Sequence, residues 1–363
     1  ISNTSVKVTI LRKGKKLKKT LVRNTIPIAT VPAYYMMNKQ TGYIQVAQFS
    51  LPTAQEFHNA ALKLKAQGMT KLLLDLRGNS GGTMDAAIQI ADEFLPHGYL
   101  ILSSKGFHSQ EQKYKATAAG ILEKTKVVVL IDAQSASASE ILAGALQDND
   151  RATIVGRRSY GKGLIQQDKR LKDGSNLRIT VARYYTPSGR SIQRPYKKGF
   201  DAYREDGQRA LEEEYFKPDS SIFVDSLKYK TRKGRTVYGG GGIMPDIFIP
   251  GDTTGTSLYL SELQWAGAFN AFAFDYLNHK QIQMSLKEFV AKFTVDEQLL
   301  KQFTTFATKE FKIKVQQNEL MHSKENIKRL LKAEIARHLF LENGYYQVVN
   351  IHDNEVQRAL KSF

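Results

Sequence analysis

The sequence predicts an α/β protein in which the parallel strands of a buried sheet are connected through helices. Two short apolar segments favour this class, because strands that are buried on both faces of a sheet have few polar positions. They are KLLLDL at residues 71–76 and KVVVLID at residues 126–132. Each is followed by a turn rich in glycine or serine and then by an amphipathic helix pattern, which is the order of a strand–helix–strand crossover.

The chain length of 363 residues is enough for two or three domains with a sizeable core. We place the boundaries near residues 31 and 250, which gives the segments 1–31, 32–250 and 251–363. An apolar content of 42% excludes a wholly disordered chain. No apolar run approaches the roughly 20 residues of a membrane-spanning helix, so no transmembrane segment is expected.

The first segment predicts two strands, over residues 5–10 and 19–23, which are separated by a lysine-rich turn. Two strands do not form a stable sheet by themselves. We therefore expect residues 1–31 to be the end of a module whose beginning is missing.

The second segment alternates strands and helices. The strands are expected at residues 42–46, 71–76, 126–132, 152–155 and 177–185. Helices are expected at residues 53–67, after the glycine turn at 78–82, and at 137–148. The polar residues 200–235 are interpreted as an excursion ahead of the glycine run at 239–242.

The third segment is predicted to be mostly helical. The spacing of Thr294 and Glu297 indicates a capping box ahead of one helix. An apolar stripe at four-residue intervals indicates another, and we interpret it as ordinary core packing. Its members are Ile327, Leu331, Ile335 and Leu339.

The formal net charge of +18, from 53 basic and 35 acidic residues, raises the question of nucleic-acid binding. The densest basic cluster, RKGKKLKK at residues 12–19, lies between two predicted strands. No zinc-finger spacing or RNA-binding aromatic motif accompanies it. We interpret most of the charge as solvated surface and expect no nucleic-acid partner.

The chain has no cysteine, which excludes disulfides, thiolate nucleophiles and Cys-ligated metal sites. None of its seven histidines lies close in sequence to a candidate serine or to a second metal ligand. We therefore expect no metal site and no cofactor. A Ser-His-Asp triad formed by residues distant in sequence stays open.

The serine-rich segment SASASE, residues 135–140, lies between a predicted strand and a predicted helix. A serine at such a turn is exposed at the sheet edge, where helix N–H groups can stabilise an oxyanion. The spacing of Ser137 and Glu140 also fits a capping box. Both interpretations stay open on spacing alone.

The segment GRRSYGKG, residues 156–163, is close to a phosphate-binding loop. Gly163 stands where such a loop has its Mg²⁺-binding hydroxyl, and strand-like sequence follows, so nucleotide binding is disfavoured. Burial would lower the pKa of Lys162, and a neutral lysine can deprotonate a serine. The alternative is a lysine exposed on a glycine turn.

A third motif, DLRGNSGG at residues 75–82, places a glycine-rich turn between a strand and a helix. Its free N–H groups can bind a carbonyl oxygen or a peptide backbone. By itself the motif fits a phosphate site or a plain turn equally well.

Five motifs together closely resemble, in order and spacing, the carboxy-terminal processing peptidases (tail-specific proteases) of serine peptidase family S41. They are LLLDLRGNSGG, SASASEILAGALQDNDRATIVG, YGKGLIQQ, YYTPSGRSIQ and GGGGIMPDI, within a resemblance that extends over about residues 26–250. The resemblance implies a ClpP/crotonase-like α/β catalytic core over residues 32–250. It also implies that residues 1–31 are the closing strands of a truncated PDZ domain and that residues 251–363 are a helical extension.

The resemblance implies specific catalytic roles. The nucleophile would be Ser137, the middle serine of its motif, and the general base would be Lys162. Gln166, four residues later, would orient the lysine. The reaction would proceed through an acyl-enzyme, as in other serine peptidases.

Further positions follow from the same resemblance. The oxyanion hole would use the backbone N–H of Ala138 and that of either Gly81 or Gly82, between which the sequence does not choose. Asp148 matches an acidic position that supports the site.

Substrates and location also follow only from the resemblance. It implies protein or peptide substrates that are partly unfolded or have exposed C-termini, and a periplasmic or otherwise extracytoplasmic location. Two alternatives stay open: a peptide-binding protein that has kept the fold without turnover, and the disfavoured nucleotide-binding protein.

Overall fold

The computed structural model describes residues 2–12, 14–26, 28–107, 110–117, 120–196, 199–212, 214–218 and 223–363. Lys13 of the basic cluster, His108 and positions 213 and 219–222 of the expected excursion lie outside the described residues.

The strands are β1 (Ser5–Arg12), β2 (Lys15–Val22), β3 (Ala33–Met36), β4 (Thr41–Gln45), β5 (Lys71–Asp75), β6 (Leu100–Lys105), β7 (Gln112–Lys115), β8 (Lys126–Ile131), β9 (Thr153–Gly156), β10 (Leu164–Arg170), β11 (Asn176–Tyr185), β12 (Lys228–Lys230), β13 (Thr236–Tyr238) and β14 (Ile247–Phe248). The helices are α1 (Thr53–Ala66), α2 (Met84–Asp92), α3 (Ala138–Asp148), α4 (Gly199–Glu212), α5 (Leu258–Trp265), α6 (Ala268–His279), α7 (Leu286–Lys292), α8 (Glu297–Phe311), α9 (Gln317–Val349) and α10 (Asn354–Leu360).

A six-stranded sheet in the order β14-β9-β8-β5-β4-β3 forms the centre of the molecule. The strands β4, β5, β8, β9 and β14 pair in parallel, and β3 is antiparallel to β4. Helices α1, α2 and α3 cover one face with a continuous apolar core. The strand–helix alternation that the sequence predicts for this region is therefore confirmed.

The second face of this sheet is covered by the C-terminal end of the chain. Tyr43, Leu73 and Val128 of the sheet pack there with Val356 and Ala359 of α10. The buried strands KLLLDL and KVVVLID thus have apolar partners on both faces, as their composition predicts. Residues beyond the expected boundary at 250 complete the core of the sheet.

A second sheet, in the order β10-β11-β6-β7, is antiparallel. The sequence predicts β11 and indicates a strand after Gly163, where β10 lies; it does not predict β6 or β7, and β7 is short, polar and mostly exposed. The polar region 200–235 contains α4 and leads into the β12–β13 hairpin.

Helices α5 to α9 pack around an apolar core of their own, which includes Phe269 and Phe303. The capping box predicted for Thr294 is wrong: the N-cap of α8 is Asp296, whose carboxylate accepts from Leu299 N at 2.8 Å. Asp296 is the residue directly before the helix, so its side chain, and not that of Thr294, lies within hydrogen-bond distance of the Leu299 N–H. Within the described part of the chain, no helix is both long and apolar enough to cross a membrane.

Residues 1–31 contain the predicted antiparallel pair, which forms a two-stranded sheet of its own. The expected lysine-rich turn is shorter than predicted: β1 ends at Arg12 and β2 begins at Lys15. The lysines from residue 15 onward therefore lie in a strand, where their side chains are exposed. The assignment of this hairpin to a PDZ domain stays a prediction.

Candidate active site

Ser137 lies at the turn between β8 and α3, with φ of 55° and ψ of −111°. A side chain other than glycine is strained in that region, and such strain clusters at functional sites. Its N–H donates to Glu140 Oε2 at 2.8 Å, and the predicted capping box with Glu140 is present. The serine is nevertheless more than a helix cap, because it also lines an open cleft.

The two flanking serines of the motif have structural contacts. Ser135 Oγ donates to Leu76 O at 2.8 Å, and Ser139 Oγ donates to Asn79 O at 2.8 Å. Both serines are buried. These bonds join the serine turn to the DLRGNSGG turn, and they leave Ser137 as the serine of this motif that faces the cleft.

Lys162 lies in the loop between β9 and β10, and no helix follows it. A phosphate-binding loop needs a helix N-terminus at this point. Since Gly163 is followed directly by β10, this segment does not form a phosphate-binding loop, on which the nucleotide-binding alternative depends. The Lys162 N–H donates to Glu140 Oε2 at 2.8 Å, and the Gly161 N–H donates to Glu140 Oε1 at 2.6 Å.

Glu140 is a fully buried carboxylate that joins the two loops. Besides the N–H groups of Ser137, Gly161 and Lys162, it accepts a hydrogen bond from Ser159 Oγ at 2.5 Å. Burial raises the pKa of the Glu140 carboxyl, and these four hydrogen bonds act in the opposite direction. The sequence identifies Glu140 as a cap but does not reveal that it also holds the lysine loop.

Tyr184 joins the same two loops by binding main-chain carbonyl oxygens, whereas Glu140 binds main-chain N–H groups. Its hydroxyl lies 3.1 Å from Ser137 O and 3.0 Å from Lys162 O, and it donates to both. Burial, with a smaller contribution from the charge of Glu140, raises the pKa of Tyr184 well above its usual value, so the hydroxyl keeps its proton. Sequence reasoning missed this residue, because a tyrosine in a predicted strand carries no sign of a partner elsewhere in the chain.

Gly81 and Gly82 adopt positive φ angles of 97° and 144° beside the serine turn. A Cβ on Gly81 would lie 2.8 Å from Ser137 Cβ and 2.9 Å from Ala138 N, so the close approach requires glycine. The Gly81 N–H donates to Asn79 Oδ1 at 2.8 Å. Among the described residues, the N–H groups of Gly82 and Ala138 have no protein acceptor. The geometry thus distinguishes two glycines that the sequence does not.

One cleft of about 710 Å³ brings most of the predicted site residues together. Its lining includes Gly81, Gly82, Ser137, Lys162 and Gln166. Gln166 is exposed and follows a β-bulge in β10. Apolar side chains form much of the remaining wall. They are Phe49, Met84, Ile141, Leu164 and Ile165.

Asp148 does not line this cleft. It ends α3, about 15 Å along the helix axis from Ala138. Its buried carboxylate binds Arg190 at 2.8 Å and accepts from Ser188 Oγ at 2.6 Å. Any support that it gives to the site therefore passes through α3 and the TPSGR turn.

The described residues contain no cluster of candidate metal ligands. No group of three or more His, Asp and Glu side chains among them is arranged to hold a metal ion. The cleft contains the Ser137 hydroxyl, the Lys162 amine and the Gln166 amide, which are groups of nucleophilic and general-base chemistry, and its lining also includes Asp85, Asp168 and Arg178.

Comparison with known proteins gave matches to both halves of the chain. Residues 40–200 match the model of peptidase family S41, and residues 259–341 match that of a family of unknown function (DUF8443). The carboxyl-terminal-processing protease of Synechocystis sp. is 39% identical over 197 residues, or 53% of this chain and 46% of that protein. The carboxy-terminal-processing protease of Bartonella bacilliformis is 38% identical over 198 residues, or 53% of this chain and 45% of that protein.

A solved structure, that of the photosystem II D1 C-terminal processing protease, is also similar. Its TM-score is 0.45 at 27% sequence identity, over 71% of this chain and 58% of that one. The chain thus spans slightly less than half the length of the two sequence relatives.

Proposed function

Because residues 40–200 belong to peptidase family S41, we propose that this chain is a serine endopeptidase that cleaves proteins near their C-termini. One observation carries the proposal: Glu140 and Tyr184 each bind the main chain of both Ser137 and Lys162. Two loops that are distant in sequence are thereby fixed beside one cleft, as a nucleophile and its base must be.

The proposed mechanism begins with Lys162 as a neutral amine. Its Nζ accepts the proton of Ser137 Oγ while that oxygen attacks the carbonyl carbon of the scissile peptide bond. Gln166, which lines the same cleft, orients the amine. The tetrahedral intermediate then expels the amine of the leaving peptide, which takes the proton, and water hydrolyses the acyl-enzyme.

The oxyanion hole is proposed to consist of the N–H groups of Gly82 and Ala138. Both have no protein acceptor among the described residues, whereas the Gly81 N–H is already bonded to Asn79. Donors that are fixed before the reaction stabilise the developing charge without reorganisation. Gly81 then serves to let the serine turn approach closely.

The substrates are proposed to be extended segments of partly unfolded proteins or exposed C-termini. A peptide must be extended for its carbonyl group to reach Ser137 between the walls of the cleft, and those walls present apolar side chains beside polar and charged ones. The names of the relatives, which describe carboxyl-terminal processing, support the same substrate class. A location outside the cytoplasm, periplasmic in a bacterium with two membranes, is part of the proposal.

The variant Ser137→Ala tests the proposal. We expect the rate of cleavage of casein or of a C-terminally tagged protein to fall by about 10⁴-fold or more. Without the serine nucleophile, only substrate binding and the oxyanion hole still contribute to catalysis. The melting temperature should change little. Ser285→Ala, which alters a helix cap outside the cleft lining, is the matched control and should keep its activity.

Two results would contradict the proposal. An unchanged rate in Ser137→Ala would exclude this serine as the nucleophile. Peptide binding without cleavage by the wild-type chain would indicate the non-catalytic alternative.

A further inference from the structure

The loop that carries Lys162 is contacted by a segment beyond the residues that match the S41 family. We call residues 201–212 and 214–218 the brace; it comprises most of α4 and the chain that follows it. The sequence indicates only a polar excursion here. In the structure, Glu214 of this segment is buried, although its surroundings in the sequence are strongly charged.

Glu214 forms an ion pair with Arg158 in which the two side chains are only 4% and 3% exposed. Arg158 Nε donates to Glu214 Oε2 at 2.7 Å, and Arg158 Nη2 donates to Glu214 Oε1. Arg158 Nη1 donates to Gly241 O at 2.9 Å. A two-point pair of this kind fixes direction as well as distance, so Glu214 defines where Arg158 lies.

Two further contacts join the brace to the same loop. The guanidinium of Arg157 lies 4.9 Å from the ring centre of Tyr215. The guanidinium of Arg194 lies 4.2 Å from the ring centre of Tyr160 and 5.4 Å from that of Tyr203, which belongs to α4. The residues at 157, 158 and 160, just ahead of Lys162, are thus each linked to the brace.

Arg158 is next to Ser159 in the chain, and Ser159 Oγ donates to the same Glu140 carboxylate that binds the Lys162 N–H. A displacement of Arg158 would therefore move Ser159, which is hydrogen-bonded to Glu140. Glu140 in turn holds the main chain of the Lys162 loop. We propose that the brace positions Lys162 for catalysis and that Glu214 is the positioning residue. This inference rests on the proposed function, since it takes Lys162 to be the base.

The variant Glu214→Gln tests the inference, because it keeps the size of the side chain and removes its charge. We expect kcat to fall about 10–100-fold, since small displacements of catalytic groups have effects of that order, while KM stays within about twofold. Hydrogen exchange of the backbone amides of residues 158–163 should become faster. Glu334→Gln, which removes one of the two charge partners of Arg337 in α9, is the control and should change neither quantity.

Two more variants keep the test decisive if Glu214→Gln folds poorly. The double variant Arg158→Met/Glu214→Leu removes both charges and keeps the packing, as replacement of a buried pair by apolar side chains can. It should fold, because no buried charge is left unpaired, and its kcat should stay low, because the two-point pair that fixes Arg158 is gone. Tyr215→Leu removes a cation–π contact without leaving a buried charge, and it should give a smaller decrease in kcat with the same unchanged KM.

The outcomes separate this inference from the proposed function. Unchanged kcat and unchanged amide exchange in Glu214→Gln would overturn the inference and leave the peptidase proposal intact. A loss of amide protection in a protein whose wild type cleaves nothing would support the brace and contradict the peptidase. Full recovery of kcat in the double variant would also overturn the inference, since the loss in Glu214→Gln would then come from the unpaired buried charge of Arg158 and not from lost positioning.

Discussion

The cleft and the helical region α5–α9 are held together by different kinds of interaction. In the cleft, the loops of Ser137 and Lys162 meet on a buried carboxylate and a buried tyrosine hydroxyl. In the helical region, the rings of Phe269 and Phe272 pack on that of Phe303, with distances of 4.7 and 5.4 Å between ring centres. Polar contacts have direction, and apolar contacts depend mainly on volume.

This difference predicts two classes of variant. Changes at the cleft should alter the rate of catalysis more than the free energy of unfolding, because single hydrogen bonds contribute little to stability but fix the reacting groups. Changes in the helical core should do the reverse. Variants of Lys162, Phe303, Glu140 and Tyr184 test this separation. A variant that changed the rate and the free energy of unfolding by similar amounts would count against it.

The largest effect is expected for Lys162→Met, which removes the proposed base and keeps an unbranched side chain. We expect kcat to fall about 10²–10⁴-fold, the usual contribution of a general base, with little change in melting temperature. In the wild type, the rate should rise with pH between about 6 and 10, because only the neutral amine can accept a proton.

Lys169→Met, an exposed lysine on the same hairpin, is the control for this variant and should keep its activity. A flat wild-type pH profile, under conditions in which chemistry limits the rate, would count against Lys162 as the base.

The second prediction concerns the helical core. Phe303 is fully buried, and Phe303→Ala should lower the free energy of unfolding by about 3–5 kcal/mol through lost burial and a cavity. The value of kcat per folded molecule should not change. Chemical denaturation and active-site titration measure the two quantities, and Phe303→Leu should show a smaller loss of stability. A parallel fall in kcat would show that the two regions are coupled.

The third prediction uses Glu140, whose pKa burial raises. The carboxyl therefore takes up a proton at a higher pH than an exposed glutamate, and it then accepts hydrogen bonds less well. We expect kcat to fall as the pH falls through this raised pKa. Glu140→Gln should remove the part of the acid decrease that comes from Glu140, leaving the part that Lys162 sets, and it should lower kcat about 10–100-fold at neutral pH. Rate profiles from about pH 4 to 8 measure both effects.

The same proton affects stability in the opposite direction. Because the folded chain binds it more tightly than the unfolded chain, the free energy of unfolding should decrease as the pH rises from the unfolded to the folded pKa. Wild type and Glu140→Gln should therefore differ least in stability at acid pH. Glu56→Gln is the control, since Glu56 also accepts backbone N–H groups, from Thr30 and Val31, but lies outside the cleft lining. It should keep the whole acid decrease in kcat.

The smallest effect is expected for Tyr184→Phe. This variant removes one hydroxyl that donates to two carbonyl oxygens, and it should lower kcat roughly 10-fold, in line with a net hydrogen-bond contribution of about 1–1.5 kcal/mol. KM should not change. Tyr185→Phe, one position along the same strand, is the control. Equal rates for both variants would mean that Glu140 alone holds the two loops.

The sequence predicts those parts of the fold and the site that have a local pattern. The buried strands β5 and β8 are visible as apolar runs, and α3 is visible as a helix after a serine turn. Ser137 and Lys162 can be identified as candidate site residues from the sequence, because each lies in a motif that resembles one of peptidase family S41. Their placement beside one cleft agrees with the roles that the motifs indicate, and the roles themselves stay predictions.

What the sequence does not predict depends on contacts between distant residues. Tyr184 and Glu214 act on loops from other parts of the chain, and nothing beside them in the sequence indicates those partners. The proposed choice of Gly82 over Gly81 for the oxyanion hole depends on the hydrogen bond from the Gly81 N–H to Asn79 Oδ1, a contact that appears only in three dimensions. The cover on the second sheet face was missed because α10 follows β9 by nearly 200 residues.

The position of α10 has a consequence for the order in which the molecule is made. Ribosomes release a chain from its N-terminus, so the sheet strands emerge long before Val356 and Ala359 exist to cover their second face. During that interval, apolar side chains such as Leu73 and Val128 lack their native cover. A nascent chain therefore carries its serine and lysine loops on a sheet whose second face stays uncovered until synthesis has passed residue 359.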